Sequence, residues 1–274
     1  MFGKLLKNDL KAQWHSMSTI FLCTFIVAIA AELVTLTTDS KPFSIVGGMI
    51  VFVAMGFACI VVMIAAAMIF SQTMFGRAGY LTLSLPVKTT TLLKSKTISA
   101  LIWIFSVYAL FMGSLFLWIY QVQKTLGDEM MESVESLLSI FGVPSFLTIS
   151  VGVVFFCISL AVIVLVIVQA LHLGITCSHI PPVSKFGNIG AIVIFFGAFL
   201  AIQSVTNAIS DAIPFGLVIT SDTLKITSDI VTAKAMAGGG AMSIGVVGTI
   251  LRLVFAIALH YPTTYLIKHK ISIK

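Results

Sequence analysis

Acidic residues are scarce: only ten aspartates and glutamates stand among 274 residues, and charged residues of both signs make up 9% of the chain. A soluble domain carries about 25% charged residues, so a water-exposed globular surface is excluded. Cysteine is scarce as well. Cys23, Cys59, Cys157 and Cys177 sit in or beside apolar runs, where they read as small buried hydrophobes and lack the spacing of a disulfide framework. The GxxxxGK[ST] phosphate loop is absent, so the chain does not hydrolyse nucleotide by that route. HExxH and GxSxG are missing too, and no cluster of acids lies in an apolar run, which leaves enzymatic chemistry nothing to stand on. His172, Cys177 and His179 superficially resemble metal ligands, but a tetrahedral site needs three or four donors and no fourth is evident. No cofactor is expected in this chain.

What is abundant is apolar sequence. Hydrophobic residues make up 59% and the mean hydropathy is +1.12, as expected of an integral membrane protein. The net charge of +6 would point to nucleic acid in a soluble protein. Here it follows from cations placed around membrane spans, and no nucleic-acid partner is expected. Six apolar runs, near 17–38, 44–70, 97–120, 145–171, 188–207 and 242–266, are each long enough at about 1.5 Å per residue to cross a core of roughly 30 Å. The expected fold is therefore all-α: one polytopic transmembrane domain over 1–274 with six membrane helices. The first run is too long for the core of a cleavable signal peptide.

Orientation follows from the cations. With the N-terminus inside, the inner segments hold Lys4, Lys7, Lys11, Arg77, Lys88, Lys94, Lys96, Lys185, Lys268, Lys270 and Lys274, against Lys41, Lys124, Lys225 and Lys234 outside. This bias predicts that both termini are cytoplasmic. The outer segments hold Asp128, Glu129, Glu132, Glu135, Asp211, Asp222 and Asp229, in agreement but with little topological weight. Phe2, Leu5, Leu6 and Leu10 recur at helical spacing opposite Lys4, Lys7 and Lys11. That pattern predicts an amphipathic helix over 1–16 lying in the interface, leucines in lipid and lysines toward anionic head groups. The alternative is a plain charged flank. Residues 128–138 predict a short amphipathic helix, and LVITSDTLKITSD in the last outer loop predicts a small hairpin. Pro181–Pro182 and Gly187 mark the break between the fourth and fifth runs.

The segment 71–96, SQTMFGRAGYLTLSLPVKTTTLLKSK, has four cations and no acid. Gly76 and Gly79 bracket Arg77 and Ala78; Tyr80, Leu81, Leu83 and Leu85 then supply large apolar side chains, and Pro86 ends the run. Apolar side chains on a cytoplasmic loop point to a docking element for a soluble partner; the plainer alternative is a solvated loop with interfacial anchors. Within the spans, Arg252 and Glu32 are functional candidates by default, because charge in lipid is costly. The two could pair to line a path or lock two helices, or each could reach the interface separately. Gln169, Gln203 and Asn207 suit interhelical hydrogen bonds.

The opening MFGKLLKNDLKAQ and the loop FGRAGYLTLSLPVKTTTLLKSKTISA, set in a six-span layout with a long last outer loop, resemble permease subunits of ABC-2 type transporters. The resemblance is to the small kind found in Gram-positive bacteria beside a separate ATPase. Many of those permeases have an acidic residue before the Gly-Tyr-Leu, where this chain has Ala78, so Arg77 would offer a cation instead. The resemblance implies a plasma-membrane exporter subunit without its own ATPase site. ATP and Mg²⁺ would be held by a partner ABC ATPase gripping Gly76, Arg77, Gly79, Tyr80, Leu81, Leu83 and Pro86. A second permease subunit, identical or related, would complete the path. The expected cargo is an amphipathic peptide or peptide antibiotic, with a lipid or other hydrophobic molecule as the alternative. A scaffold or regulator holding a cytoplasmic partner is a further class. An ion-coupled transporter would need midplane carboxylates or broken helices, which spans two to five lack.

Overall fold

The computed structural model describes residues 2–37, 41–76, 79, 87–126, 151–181, 183–213, 215–219, 224–227 and 242–269. Six long helices carry the chain: α1 (Phe2–Thr37), α2 (Lys41–Phe75), α3 (Thr89–Leu126), α4 (Val151–Ser178), α5 (Gly187–Ala212) and α6 (Val246–His269). Each is long and apolar enough to cross a membrane, and the chain is by that measure a multi-pass membrane protein. Three of them exceed a bilayer. At about 1.5 Å per residue, the 36, 35 and 38 residues of α1, α2 and α3 each reach over 50 Å, against about 40–45 Å for a bilayer with its head-group regions.

Helix boundaries follow local chemistry. Pro42 sits in the first turn of α2, where its missing N–H costs nothing and its fixed φ suits a helix start. Gly187 has φ 51°, a left-handed conformation that glycine adopts without penalty. It joins α5 to the 3₁₀ turn Val183–Phe186. Pro262 lies inside α6, removing one helical hydrogen bond from that turn. The predicted interfacial helix is not a separate element: residues 2–16 run into the first span without a break.

The chain is not helical throughout. Strands β1 (Gly216–Ile219) and β2 (Leu224–Thr227) pair antiparallel, with Leu217 opposite Ile226. This is the hairpin that the alternating pattern predicts. A third strand, β3 (Met242–Gly245), pairs antiparallel with the other edge of β1 and leads directly into α6. The sixth apolar run thus begins as strand, and its helix starts at Val246. The amphipathic helix expected over 128–138 lies outside the described residues.

The chain forms two compact units. The first holds Met1–Gly127, Ile175–Gly190 and Thr263–Lys274; the second holds Asp128–Gly174 and Ala191–Pro262. In the first, α1, α2 and α3 pack against one another pairwise. Helix α2 shows how. Met55, Cys59, Val62, Ala66, Phe70 and Met74 are buried, whereas Val53, Phe57, Ile60, Ile64 and Met68 are exposed. Both stripes recur at helical spacing and both are apolar. An exposed stripe of that composition suits lipid and would be an aggregation liability in water. In the second unit, Val166 of α4, Ile202 of α5 and Ala256 of α6 form a core with Leu165, Phe199, Phe255 and Leu259. A Cβ at Gly174 would lie 2.6 Å from the Ala191 carbonyl oxygen, so the glycine lets α4 and α5 approach closely. Lipid tails are as apolar as leucine, so such close packing and interhelical hydrogen bonds are what hold these helices together.

Candidate functional site

Polar side chains concentrate where α1 meets the first turns of α3. Asp9, Gln13 and Met17 lie four residues apart on one stripe of α1 and all three are buried. Opposite them, Ser95 and Ser99 are also four apart, with Lys96 between. Lys96 Nζ donates to Asp9 Oδ1 at 2.6 Å and Ser95 Oγ donates to Asp9 Oδ2 at 2.5 Å, so each carboxylate oxygen has a donor. One turn along, Gln13 Nε2 donates to Ser99 Oγ at 2.9 Å, and Ser99 passes its own proton to the Lys96 carbonyl at 3.0 Å. Beyond that step the Trp14 and Trp103 rings meet at 5.6 Å with 58° between their planes. The Lys96 side chain is 6% exposed and that of Asp9 8%.

The energetics say what such a knot is for. A buried ion pair is seldom more stabilising than an apolar pair of the same volume, because desolvating two charges cancels most of their attraction. Losing one partner, in contrast, leaves an uncompensated buried charge. The knot therefore fixes register. Sliding α1 along α3 by one residue would separate Asp9 from Lys96 and Gln13 from Ser99 together.

Next to the knot stands an apolar block. Phe70 and Met74 of α2, Leu92 and Leu93 of α3 and Ile267 of α6 form a buried cluster, with Phe75 and Ile175 packed on it. His179, just past α4, stacks on Phe75 at 4.2 Å and 15°, and its Nδ1 lies 2.8 Å from the Ile175 carbonyl oxygen. The ends of α2, α4 and α6 and the start of α3 thus converge in the first unit, and α1 is tied to the same place through Asp9.

From this block the chain turns at Gly76. The Gly76 N–H donates to the Gln72 carbonyl at 3.2 Å and the Gly79 N–H to the Gly76 carbonyl at 2.8 Å. A Cβ at Gly76 would lie 2.5 Å from the Gln72 carbonyl oxygen, and one at Gly79 would collide with the Met74 carbonyl. Only glycine fits at these two positions. Arg77, Tyr80, Leu81, Leu83 and Pro86, which the sequence singles out with them, lie outside the described residues. The connection is also shorter than the sequence suggests, since α2 continues to Phe75 and α3 begins at Thr89.

Lys4, Lys7 and Lys11 are exposed, Phe2 is exposed, and Leu5, Leu6 and Leu10 are half-buried. The face that packs most tightly carries Asp9 and Gln13, which sequence reasoning passed over. A signal was present: Asp9 is the one acid before Glu32, and D-x-x-x-Q matches S-x-x-x-S at helical spacing. The Glu32 side chain lies outside the described residues. Arg252 is half-buried and donates through Nε to Gln203 Oε1 at 3.0 Å, so Gln203 makes the interhelical bond expected of it. Asn207 is exposed and Gln169 is buried. Among the described residues no group of three His, Cys, Asp or Glu side chains is placed to hold a metal; His179 is occupied with Phe75.

No protein-family model matches this chain, and neither a curated protein nor a solved structure matches it.

Proposed function

We propose that this chain is the membrane-spanning permease subunit of an ATP-driven exporter in the plasma membrane of a Gram-positive bacterium. In this reading both termini are cytoplasmic, α1 begins in the lipid interface, and a separate ABC ATPase supplies ATP and Mg²⁺. A second permease copy or close relative completes the path. The observation that carries the reading is the setting of the 76–88 connection. It leaves α2 through a two-glycine turn, and its far end enters α3 seven residues before a buried ion pair to α1. A push on the connection is then delivered to three helices at once, because the apolar block and the Asp9–Lys96 knot resist local deformation. A loop on flexible ends would dissipate the same push.

The cargo in this reading is an amphipathic peptide or peptide antibiotic, with a lipid or other hydrophobic molecule as the alternative. The apolar runs carry few charged residues, which suits apolar cargo better than an ion. The test is co-purification with the Walker-motif ATPase encoded beside this chain. Leu81→Asp is expected to abolish co-purification while leaving membrane insertion and yield unchanged. Full cargo export by the Leu81→Asp variant, or export without any ATPase, would overturn the proposal.

A further inference from the structure

Helices α5 and α6 run antiparallel, and the residues that meet along them hold one register from the buried core to the strands. Ile202 and Ala256 belong to that core, with Phe199 and Leu259 packed on it. Farther along, Arg252 Nε donates to Gln203 Oε1 at 3.0 Å, and a Cβ at Gly248 would lie 2.8 Å from Ser210 Oγ. The Val246 N–H then donates to the Phe215 carbonyl at 3.2 Å. At that bond the helices give way to strands without a slip: Gly216 opposes Gly245, Leu217 opposes Ile244, Val218 opposes Ser243 and Ile219 opposes Met242. Phe215 and Val246 are thus a hydrogen-bonded pair in the register of the ladder. Alternation along an antiparallel ladder makes Leu217–Ile244 a bonded pair too, and brings the backbones closest at the non-bonded pair Val218–Ser243.

Helix α4 is fastened to this pair differently. At Gly174 it lies against the backbone of α5, since a Cβ there would be 2.6 Å from the Ala191 carbonyl oxygen. Midway, Val166 joins the core of Ile202 and Ala256. Toward the strands, the hydrogen bond that reaches α4 runs from Thr249 Oγ1 to Ser159 Oγ and is 3.3 Å long. The single Thr249 proton has a nearer acceptor in the Gly245 carbonyl at 3.0 Å. Ile158, beside Ser159, is 48% exposed. Among the described residues no strand ties α4 to the pair. Helices in lipid are held by close packing and by interhelical hydrogen bonds, so α4 is held tightly at Gly174 and weakly at Ser159.

We propose that the β1–β3 ladder is a clamp that makes α5 and α6 one rigid hairpin, and that α4, pivoting at Gly174, is the helix that moves against it. Parting α5 from α6 at the strand end would break the ladder, the Arg252–Gln203 bond and the Gly248–Ser210 contact together. Swinging α4 costs one long hydroxyl bond. A rigid body with a pivoting neighbour is a common design for opening a path. A passage through the second unit then opens beside α4, at the end where the strands lie, and not between α5 and α6. The clamp and the pivot rest on geometry alone; their link to export rests on the permease reading.

The test uses the full chain in lipid nanodiscs, with the four native cysteines replaced wherever new ones are introduced. Hydrogen exchange reads the clamp: the amides of β1 and β3 should exchange at one common rate, as a cooperative unit does. Ile244→Pro, which removes a ladder bond, should speed exchange in β1 as well as β3 by about tenfold. Spin labels at exposed positions read the pivot. Asp211→Cys with Ile250→Cys should give one narrow distance distribution, and Ile158→Cys with Ile250→Cys a broad or double one. Disulfides connect both to export. Linking Val218→Cys to Ser243→Cys should leave export unchanged, whereas linking Ser159→Cys to Thr249→Cys should stop it until the bond is reduced. Independent exchange rates for β1 and β3 overturn the proposal, as do equally narrow distributions for the two label pairs. With ATPase co-purification intact, loss of export on linking the strands also overturns it, and so does full export with α4 linked to α6. Failure of the unlinked chain to co-purify the ATPase sinks the permease reading instead, and exchange and label distances still decide clamp and pivot.

Discussion

Asp9 sits in a helix whose neighbouring charges, Lys4, Lys7 and Lys11, are all exposed cations, yet it turns inward to the buried Lys96 of α3. Truncating either partner strands the other. Asp9→Ala is expected to cost about 3–5 kcal/mol, the usual penalty for breaking a buried pair, read as a fall in unfolding temperature in detergent. The paired replacement Asp9→Leu with Lys96→Met removes both charges and should restore most of that stability. If the knot transmits force, the double variant will be stable but transport-deficient; if it only adds stability, transport will recover with the fold. The lysine was hard to foresee for a geometric reason. With α3 expected to begin at 97, Lys94 and Lys96 both fall in a loop and count alike as topogenic charge. With α3 beginning at Thr89 they stand about 200° apart on the helix, and Lys94 is exposed while Lys96 is buried. A shift of eight residues in one boundary separates a solvated cation from a structural one.

At the scale of whole elements, hydropathy locates the membrane helices well because crossing lipid imposes length and composition together. It places their ends poorly, since the first turns of α1 and α3 are polar and held by contacts with each other. The hairpin of β1 and β2 was readable from alternation; β3 was not, because GGGAMS reads as a loosened helix entry and pairing is non-local. The glycine pair is the clearest element-level signal. Gly76 and Gly79 were legible as brackets of the loop, and the structure supplies the reason: each abuts a carbonyl of the last turn of α2. Gly79→Ala should force that turn open. The expected outcome is normal membrane yield with ATPase co-purification lowered at least about tenfold, the equivalent of one lost contact worth 1.4 kcal/mol or so. Val87→Ala, in the same connection but without such a collision, serves as the control and should bind the ATPase normally.

Over the whole molecule, the segments richest in cations fall together. The N-terminal turns, the 76–88 connection, the break near 179–186 and the last turns of α6 all belong to one compact unit. Cations held at one end of a set of spans stay on the cytoplasmic side, because translocating them is opposed during insertion. Substituted-cysteine labelling tests this directly. The four native cysteines are first replaced, which the exposure of Cys23 makes necessary, and single cysteines are then introduced at exposed positions. Lys88→Cys and Lys185→Cys, both in the cationic unit, should resist a membrane-impermeant maleimide in intact cells and react after lysis. Asp211→Cys, at the far end of α5 from Lys185, should react in intact cells. The inverse pattern would put the two-glycine turn outside the cell, where no ATP-burning partner can reach it, and the proposed transport mechanism would fail with it.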